Sequence, residues 1–194
     1  MLNNDQIEYY KSYLKENLSE KRYAHSLNVA NEAVELAKLY SADEDVCYIA
    51  GLLHDVCKEM PYEKQYELAK RWHNVTEIEL DSLPLLHSVA GAVFVRDFFK
   101  IDDERILCSI RSHTAAMPDM TTIDKIIYIS DLTSADRNYP DVMRFRKMSR
   151  ENLDFTMLEA LRFNITDCVK RENTIPDGVI NAYNQLLLNI KEMK

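Results

Sequence analysis

Apolar residues recur at helical spacing in every strong segment of this chain, and only 3 glycines and 5 prolines punctuate its 194 residues. A many-stranded β fold needs more turn punctuation than that. The sequence therefore predicts an all-α fold, a helical bundle. Cap residues set the expected boundaries. Asn4-Asp5 caps a first helix to about Leu18, with Ile7, Tyr10, Tyr13 and Leu14 on one face. Ser19 caps a second, to about Tyr40, with Glu20 in its first turn and an inner stripe of Leu27, Ala30, Val34 and Ala37. Asp43 opens a third helix that carries His54, Asp55 and Lys58. Pro61 starts a fourth, with Trp72 packed near its end and His73 on the surface. Pro84 sits in the first turn of a fifth, through Phe99, and its Ala90-Gly91-Ala92 run lets another helix come close. Asp102-Asp103-Glu104 precedes a sixth, from Arg105 to about His113. Thr121 or Thr122 caps a seventh, from Ile123 to about Leu132. A loop from Thr133 to Pro140 leads to helices over about 141–149 and 150–171. Pro176-Asp177-Gly178 then precedes a last amphipathic helix.

Charge and composition narrow the function. A net charge of −8 argues against nucleic-acid binding, which needs a basic field. It leaves room for a small anionic substrate, because local Arg, Lys and a metal can reverse the potential inside a pocket. No window approaches 18 consecutive apolar residues, so no membrane span is expected. Met1 to Asp5 lacks the basic region and apolar core of a signal peptide. Cys47, Cys57, Cys108 and Cys168 form no CxxC pair and read as reduced, mostly core thiols of a cytoplasmic protein.

The apolar run from Val46 to Leu53 ends in His54 and Asp55. Two such side chains at the end of a buried helix are costly unless something offsets their desolvation. Alone, the pair would read as one hydrogen-bonded His and one solvent-facing Asp. It is not alone. His25, His87, His113 and Asp131 each sit on a separate apolar segment, so four of the 5 histidines fall into one pattern. Six such residues predict one shared polar centre. His25, His54, Asp55 and Asp131 supply two imidazoles and two carboxylates, a donor set for a divalent or trivalent transition metal that stays open to water and substrate. Such an ion acidifies its bound water to a hydroxide nucleophile and polarises a phosphate oxygen. His87 and His113 either hold a second metal bridged by Asp55, or hold phosphate oxygens and assist proton transfer. Arg22 shares a helix face with His25. Asp131 near a helix C-terminus opposes the dipole and needs a positive partner.

His25, His54-Asp55 and Asp131 together resemble the H…HD…D signature of the HD superfamily of metal-dependent phosphohydrolases. Longer stretches are similar to a narrower branch, the YqeK family of bacterial symmetrical diadenosine tetraphosphatases. They are Arg22-Tyr23-Ala24-His25-Ser26, Leu52-Leu53-His54-Asp55-Val56-Cys57-Lys58, Leu86-His87-Ser88, His113-Thr114 and Asp124-Lys125-Ile126-Ile127-Tyr128-Ile129-Ser130-Asp131. The likeness runs from about residue 5 to about 190. It implies one HD domain over 1–194, with a metal-binding core at about 19–137 and C-terminal helices at about 140–193. It implies iron held by His25, His54, Asp55 and Asp131, with His54, Asp55, His87 and His113 as catalytic residues. Arg22, Lys58, His87, His113, Thr114 and Arg137 match positions that look like nucleotide-phosphate contacts. The implied reaction splits diadenosine tetraphosphate into two ADP by attack of a metal-bound hydroxide on an inner phosphorus. A dinucleoside polyphosphate, or an ADP- or GDP-like nucleotide, is the expected partner, and a homodimer is the base-rate expectation for assembly.

The chain also departs from that pattern. Leu132-Thr133-Ser134-Ala135-Asp136 replaces an Ile-Glu-Pro run before Arg137, Ser130 replaces an Ala, and Ala115-Ala116 follow His113-Thr114 where a Gly is common. The altered loop keeps hydrolysis of another nucleotide open (a nucleoside di- or triphosphate or a signalling nucleotide), and a sensor that binds metal and nucleotide with little turnover is a further alternative of a different class. The intact ligand set counts against the sensor.

Overall fold

The computed structural model describes residues 3–192, and among these it contains eleven helices and no strand. The reading of Met1 and Leu2 therefore lies outside the described residues. The helices are α1 (Asn4–Asn17), α2 (Glu20–Leu39), α3 (Glu44–Leu53), α4 (Tyr62–Ala69), α5 (Glu77–Asp81), α6 (Leu83–Phe98), α7 (Glu104–Ser112), α8 (Thr122–Thr133), α9 (Val142–Glu151), α10 (Leu153–Lys170) and α11 (Asp177–Glu192). No helix among the described residues is long and apolar enough to cross a membrane.

Helices begin where a side chain can accept from the exposed backbone N–H groups of the first turn. Asn3, Ser19, Asp43, Asp103 and Asn152 do so for α1, α2, α3, α7 and α10. Thr121 and Asp124 form a reciprocal capping box on α8. The same device, Thr76 with Glu79, starts α5, a five-residue helix that periodicity did not reveal. Glu79 is also the partner of Arg111 at 2.5 Å, and both side chains are buried, which ties α5 to α7.

Several expectations need correction. α3 stops at Leu53, so His54 caps it and Asp55 and Lys58 follow in tight turns. α4 stops at Ala69, and Trp72 is buried beyond it, next to an exposed His73. On α2 the face turned inward is Val29, Ala30, Ala33, Leu36 and Ala37, whereas Leu27 and Val34 are only half-buried. Gly178 lies inside the first turn of α11 instead of before it. Cys47 and Cys57 are buried, but Cys108 is exposed and Cys168 half-buried, because α7 and α10 turn those positions outward. All four thiols are free.

One buried apolar cluster runs from Tyr10 on α1 to Leu186 on α11. Its centre is the packing of α2 against α3. A Cβ at Gly51 would stand 2.9 Å from the Ala30 Cα, closer than carbon atoms tolerate. Glycine there lets the two backbones touch, and this contact sets the distance between His25 on α2 and His54 at the end of α3.

Candidate metal centre

Six polar residues from five helices and the turn after α3 meet inside this bundle. His54 caps α3 and His113 caps α7, and each solves the same problem in the same way. Its Nδ1 donates to a carbonyl three residues back, Gly51 O or Ile110 O, at 2.7 Å in both cases. Those carbonyls are among the orphans of a helix C-terminus. The bond fixes each ring and turns its Nε2 inward. His25 comes from the second turn of α2, His87 from the early part of α6, and Asp131 from the last turn of α8. All four histidines and Asp55 are buried.

Asp55 is the hub. Its Oδ2 lies 3.4 Å from His54 Nε2 and 3.9 Å from His25 Nε2. Its Oδ1 lies 3.1 Å from His87 Nε2 and 3.6 Å from His113 Nε2. Asp131 Oδ1 closes the first side, 2.9 Å from His25 Nε2 and 3.9 Å from His54 Nε2. One carboxylate thus faces two pairs of imidazoles with its two oxygens. Three overlapping groups have donor atoms all within 4.8 Å: His25–His54–Asp55, His54–His113–Asp131 and Asp55–His87–His113. These donors fit a transition-metal cation. The sharpest indication is His54 Nε2, a buried nitrogen that has no hydrogen-bond partner among the described residues.

The electrostatics follow from that crowding. Burial works against the charge on Asp55, but His54, His113 and His87 outweigh it and hold the carboxyl well below the usual range. Burial likewise opposes the charge of Asp131, and His25, His54 and Arg137 overcome it in the same direction. His54 is pulled down by burial and up more strongly by Asp55 and Asp131, so it ends above the ordinary imidazole value. Burial, aided by His113 and Lys58, pushes His87 down to about 4 and keeps that ring neutral.

The predicted outer residues arrive as well. Arg22 Nη1 donates to Asp55 Oδ2 at 2.7 Å. Arg137 donates through Nε to the Asp131 carbonyl at 2.7 Å and through Nη2 to the Asp131 carboxylate, which supplies the positive partner that this residue needed. Lys58 Nζ is 3.1 Å from His87 Nε2, with its pKa lowered by burial. Thr114 Oγ1 is 3.4 Å from His87 Nε2. A cavity of about 240 Å³, lined in part by His113, Asp131, Arg137, Tyr139 and Phe163, opens beside the centre.

Sequence reasoning missed two residues here. Asp136 Oδ2 accepts from His25 Nδ1 at 2.8 Å, so His25 is gripped between Asp136 and Asp131. Arg146 on α9 donates to the carbonyls of Thr133, Ser134 and Arg137 at 2.9, 2.7 and 3.1 Å, and so holds the loop that carries Asp136 and Arg137. The unusual loop composition pointed to the segment, but no spacing rule links residue 136 to residue 25.

Comparison with known proteins places this geometry. Residues 22–136 match the HD domain family. A protein named symmetrical bis(5′-nucleosyl)-tetraphosphatase from Halalkalibacterium halodurans is 33% identical over 178 residues, covering 92% of this chain and 95% of that protein. Proteins of the same name from Staphylococcus aureus and Bacillus subtilis are 32% and 31% identical, over 92% and 90% of this chain and 93% and 94% of their own lengths. A solved structure from Clostridium acetobutylicum, described as an HD superfamily hydrolase involved in NAD metabolism, aligns with a TM-score of 0.90 at 34% identity, over 94% of this chain and 97% of that one.

Proposed function

The chain belongs to the HD-domain family and, within it, to the symmetrical bis(5′-nucleosyl)-tetraphosphatases, and from that premise we propose that it cleaves diadenosine tetraphosphate into two ADP at the centre around Asp55. The observation that carries this reading is the meeting of buried His25, His54 and Asp55 with half-buried Asp131, whose Oδ1 lies 2.9 Å from His25 Nε2, and with His54 Nε2 unpartnered. These four residues hold the first cation, which we take to be iron. The second face of Asp55, with His87 and His113, holds another. When bound, the cations supply an acidified water and polarise a phosphate oxygen.

The chain's own residues do the rest. Arg22 and Arg137 sit partly exposed against Asp55 and Asp131, so their guanidiniums neutralise phosphate oxygens as charge shifts to the departing ADP. Lys58 and Thr114 lie against His87 and contact the phosphate chain on that side. His54 and His113 keep Nε2 directed inward through their carbonyl bonds. The altered loop from Leu132 to Asp136 lies beside the mouth of the centre and bears on which nucleotide is preferred.

The wider reading is that of one HD domain, with its metal-binding core at about 19–137 and the C-terminal helices at about 140–193. It works in the cytoplasm as a homodimer and binds no nucleic acid. The deciding assay incubates purified protein with diadenosine tetraphosphate and separates the products by chromatography. Two ADP are expected. ATP plus AMP, or no cleavage, overturns the proposal, and faster cleavage of another nucleotide points to the alternative substrate.

A further inference from the structure

Every other arginine of this chain lies within ion-pair distance of a carboxylate, but Arg146 on α9 pairs with none among the described residues. Its half-buried guanidinium bonds backbone oxygens instead. Nε donates to the Thr133 carbonyl at 2.9 Å, and Nη2 to those of Ser134 and Arg137 at 2.7 and 3.1 Å. The Ala135 carbonyl lies 3.4 Å from the same Nη2. Thr133 and Ser134 end α8, where carbonyls lack a partner within the helix and the dipole is negative. The Asp131 carboxylate, in the last turn, adds its charge to that same end.

We propose, on the metal reading given above, that Arg146 is a positioning residue for the metal centre, holding the turn over residues 134–137 so that Asp136 meets His25 and Arg137 meets Asp131. Three observations carry this. The first is placement: the bonded carbonyls fall on residues before and after Asp136, so the guanidinium brackets the residue that accepts from His25 Nδ1. The second is anchorage. α9 is tied to α2, the helix that carries His25. The Tyr40 hydroxyl donates to the Ser149 carbonyl at 2.8 Å, and Arg150 donates to Glu32 at 2.8 Å. The other oxygen of Glu32 accepts from Thr133 Oγ1 at 3.1 Å, and Phe145, beside Arg146, is fully buried. Turn, α9 and α2 thus form a closed bracket, and Arg146 is its link to the turn. The third is chemistry. A planar guanidinium reaches several carbonyls at once from fixed directions, whereas a lysine carries one nitrogen.

The test measures the affinity of the full chain for ferrous ion, by anaerobic competition with a chromophoric chelator, beside circular dichroism. Arg146→Ala is expected to weaken binding about tenfold or more, the scale of losing the carboxylate behind a ligating histidine. Arg146→Lys should recover only part of that loss. Arg144→Ala, on the same helix but bonded to Asp141 and Glu159, should bind like the parent. Because Arg146 acts through Asp136, the double variant Asp136→Ala/Arg146→Ala should bind far better than the product of the two single losses predicts. Parental affinity in Arg146→Ala overturns the inference, as do fully multiplicative losses in the double variant or an equal loss in Arg144→Ala. Should Arg146→Ala fail to fold, Arg146→Lys takes its place in the same comparisons, and parental affinity there overturns the inference too. A parent chain that binds no transition metal overturns the metal reading and this inference with it; a parent that binds while Arg146→Ala binds equally well overturns this inference alone.

Discussion

Asp136 grips His25: its carboxylate accepts from the imidazole Nδ1 at 2.8 Å, on the side of the ring away from Asp131. A carboxylate behind a ligating histidine fixes the ring and raises its basicity, and losing one typically weakens metal binding about 10–100-fold. Asp136→Ala is therefore expected to lower metal affinity by roughly that factor, measured by competition with a chromophoric chelator, while the circular dichroism spectrum stays that of the parent. Asp136→Asn should recover most of the loss, since an amide oxygen still accepts from Nδ1. Equal affinity in Asp136→Ala would show that Asp131 alone positions the ring.

The two faces of Asp55 make separable predictions. Asp131→Ala removes a donor from the His25–His54 side and should abolish metal binding and turnover together, by elemental analysis and product assay. His113→Ala takes a donor from the His87 side and from the His54–Asp131 group, but leaves His25, His54, Asp55 and Asp131 in place. It should lower metal per chain without abolishing it, and slow turnover roughly a hundredfold, the scale of losing one preorganised electrostatic contact. If His113→Ala strips all metal, the two faces are one site.

Gly51 tests whether the centre depends on helix spacing. An alanine Cβ would meet the Ala30 Cα at 2.9 Å, and both atoms belong to rigid helical backbone. Overpacking of this kind costs about 1–3 kcal/mol. Gly51→Ala should lose stability on that scale in urea unfolding and also weaken metal binding, because α2 and α3 must part and carry His25 away from His54. A stable variant with intact metal affinity would show that the contact is not what spaces the ligands.

Alkaline pH tests the buried acids. Burial pushes the Cys47 thiol and the phenols of Tyr128 and Tyr139 up to about 12. Below about pH 7.5 all three are protonated whether the chain is folded or not, and they contribute no slope. Between their ordinary values and about 12 the unfolded chain gives up protons that the folded chain keeps, so stability falls as pH rises through that window. Urea midpoints at pH about 8 and about 10.5 should show this decline, and Tyr128→Phe should make it shallower. A flat profile would mean that these groups ionise without unfolding.

Some of this protein was legible in its residues alone. Periodicity and caps specify helices because both act within a few positions of the chain, so α1, α2, α6, α7 and α8 were readable to within about two residues, the ordinary uncertainty of a helix end. His25, His54, Asp55, His87, His113 and Asp131 stood out because a polar group on an apolar helix is costly without a partner. Short elements escaped: α5 has five residues, too few for a period, and is held by Glu79 reaching Arg111 on α7. Contacts between distant residues were equally hidden. Nothing in the sequence ties Asp136 to His25, Arg146 to the loop after α8, or the end of α10 to the start of α6. Those pairings arise only when the apolar faces of α2, α3, α6, α7 and α8 pack together. Local chemistry thus determined which groups must find partners, and tertiary packing decided which partners they found.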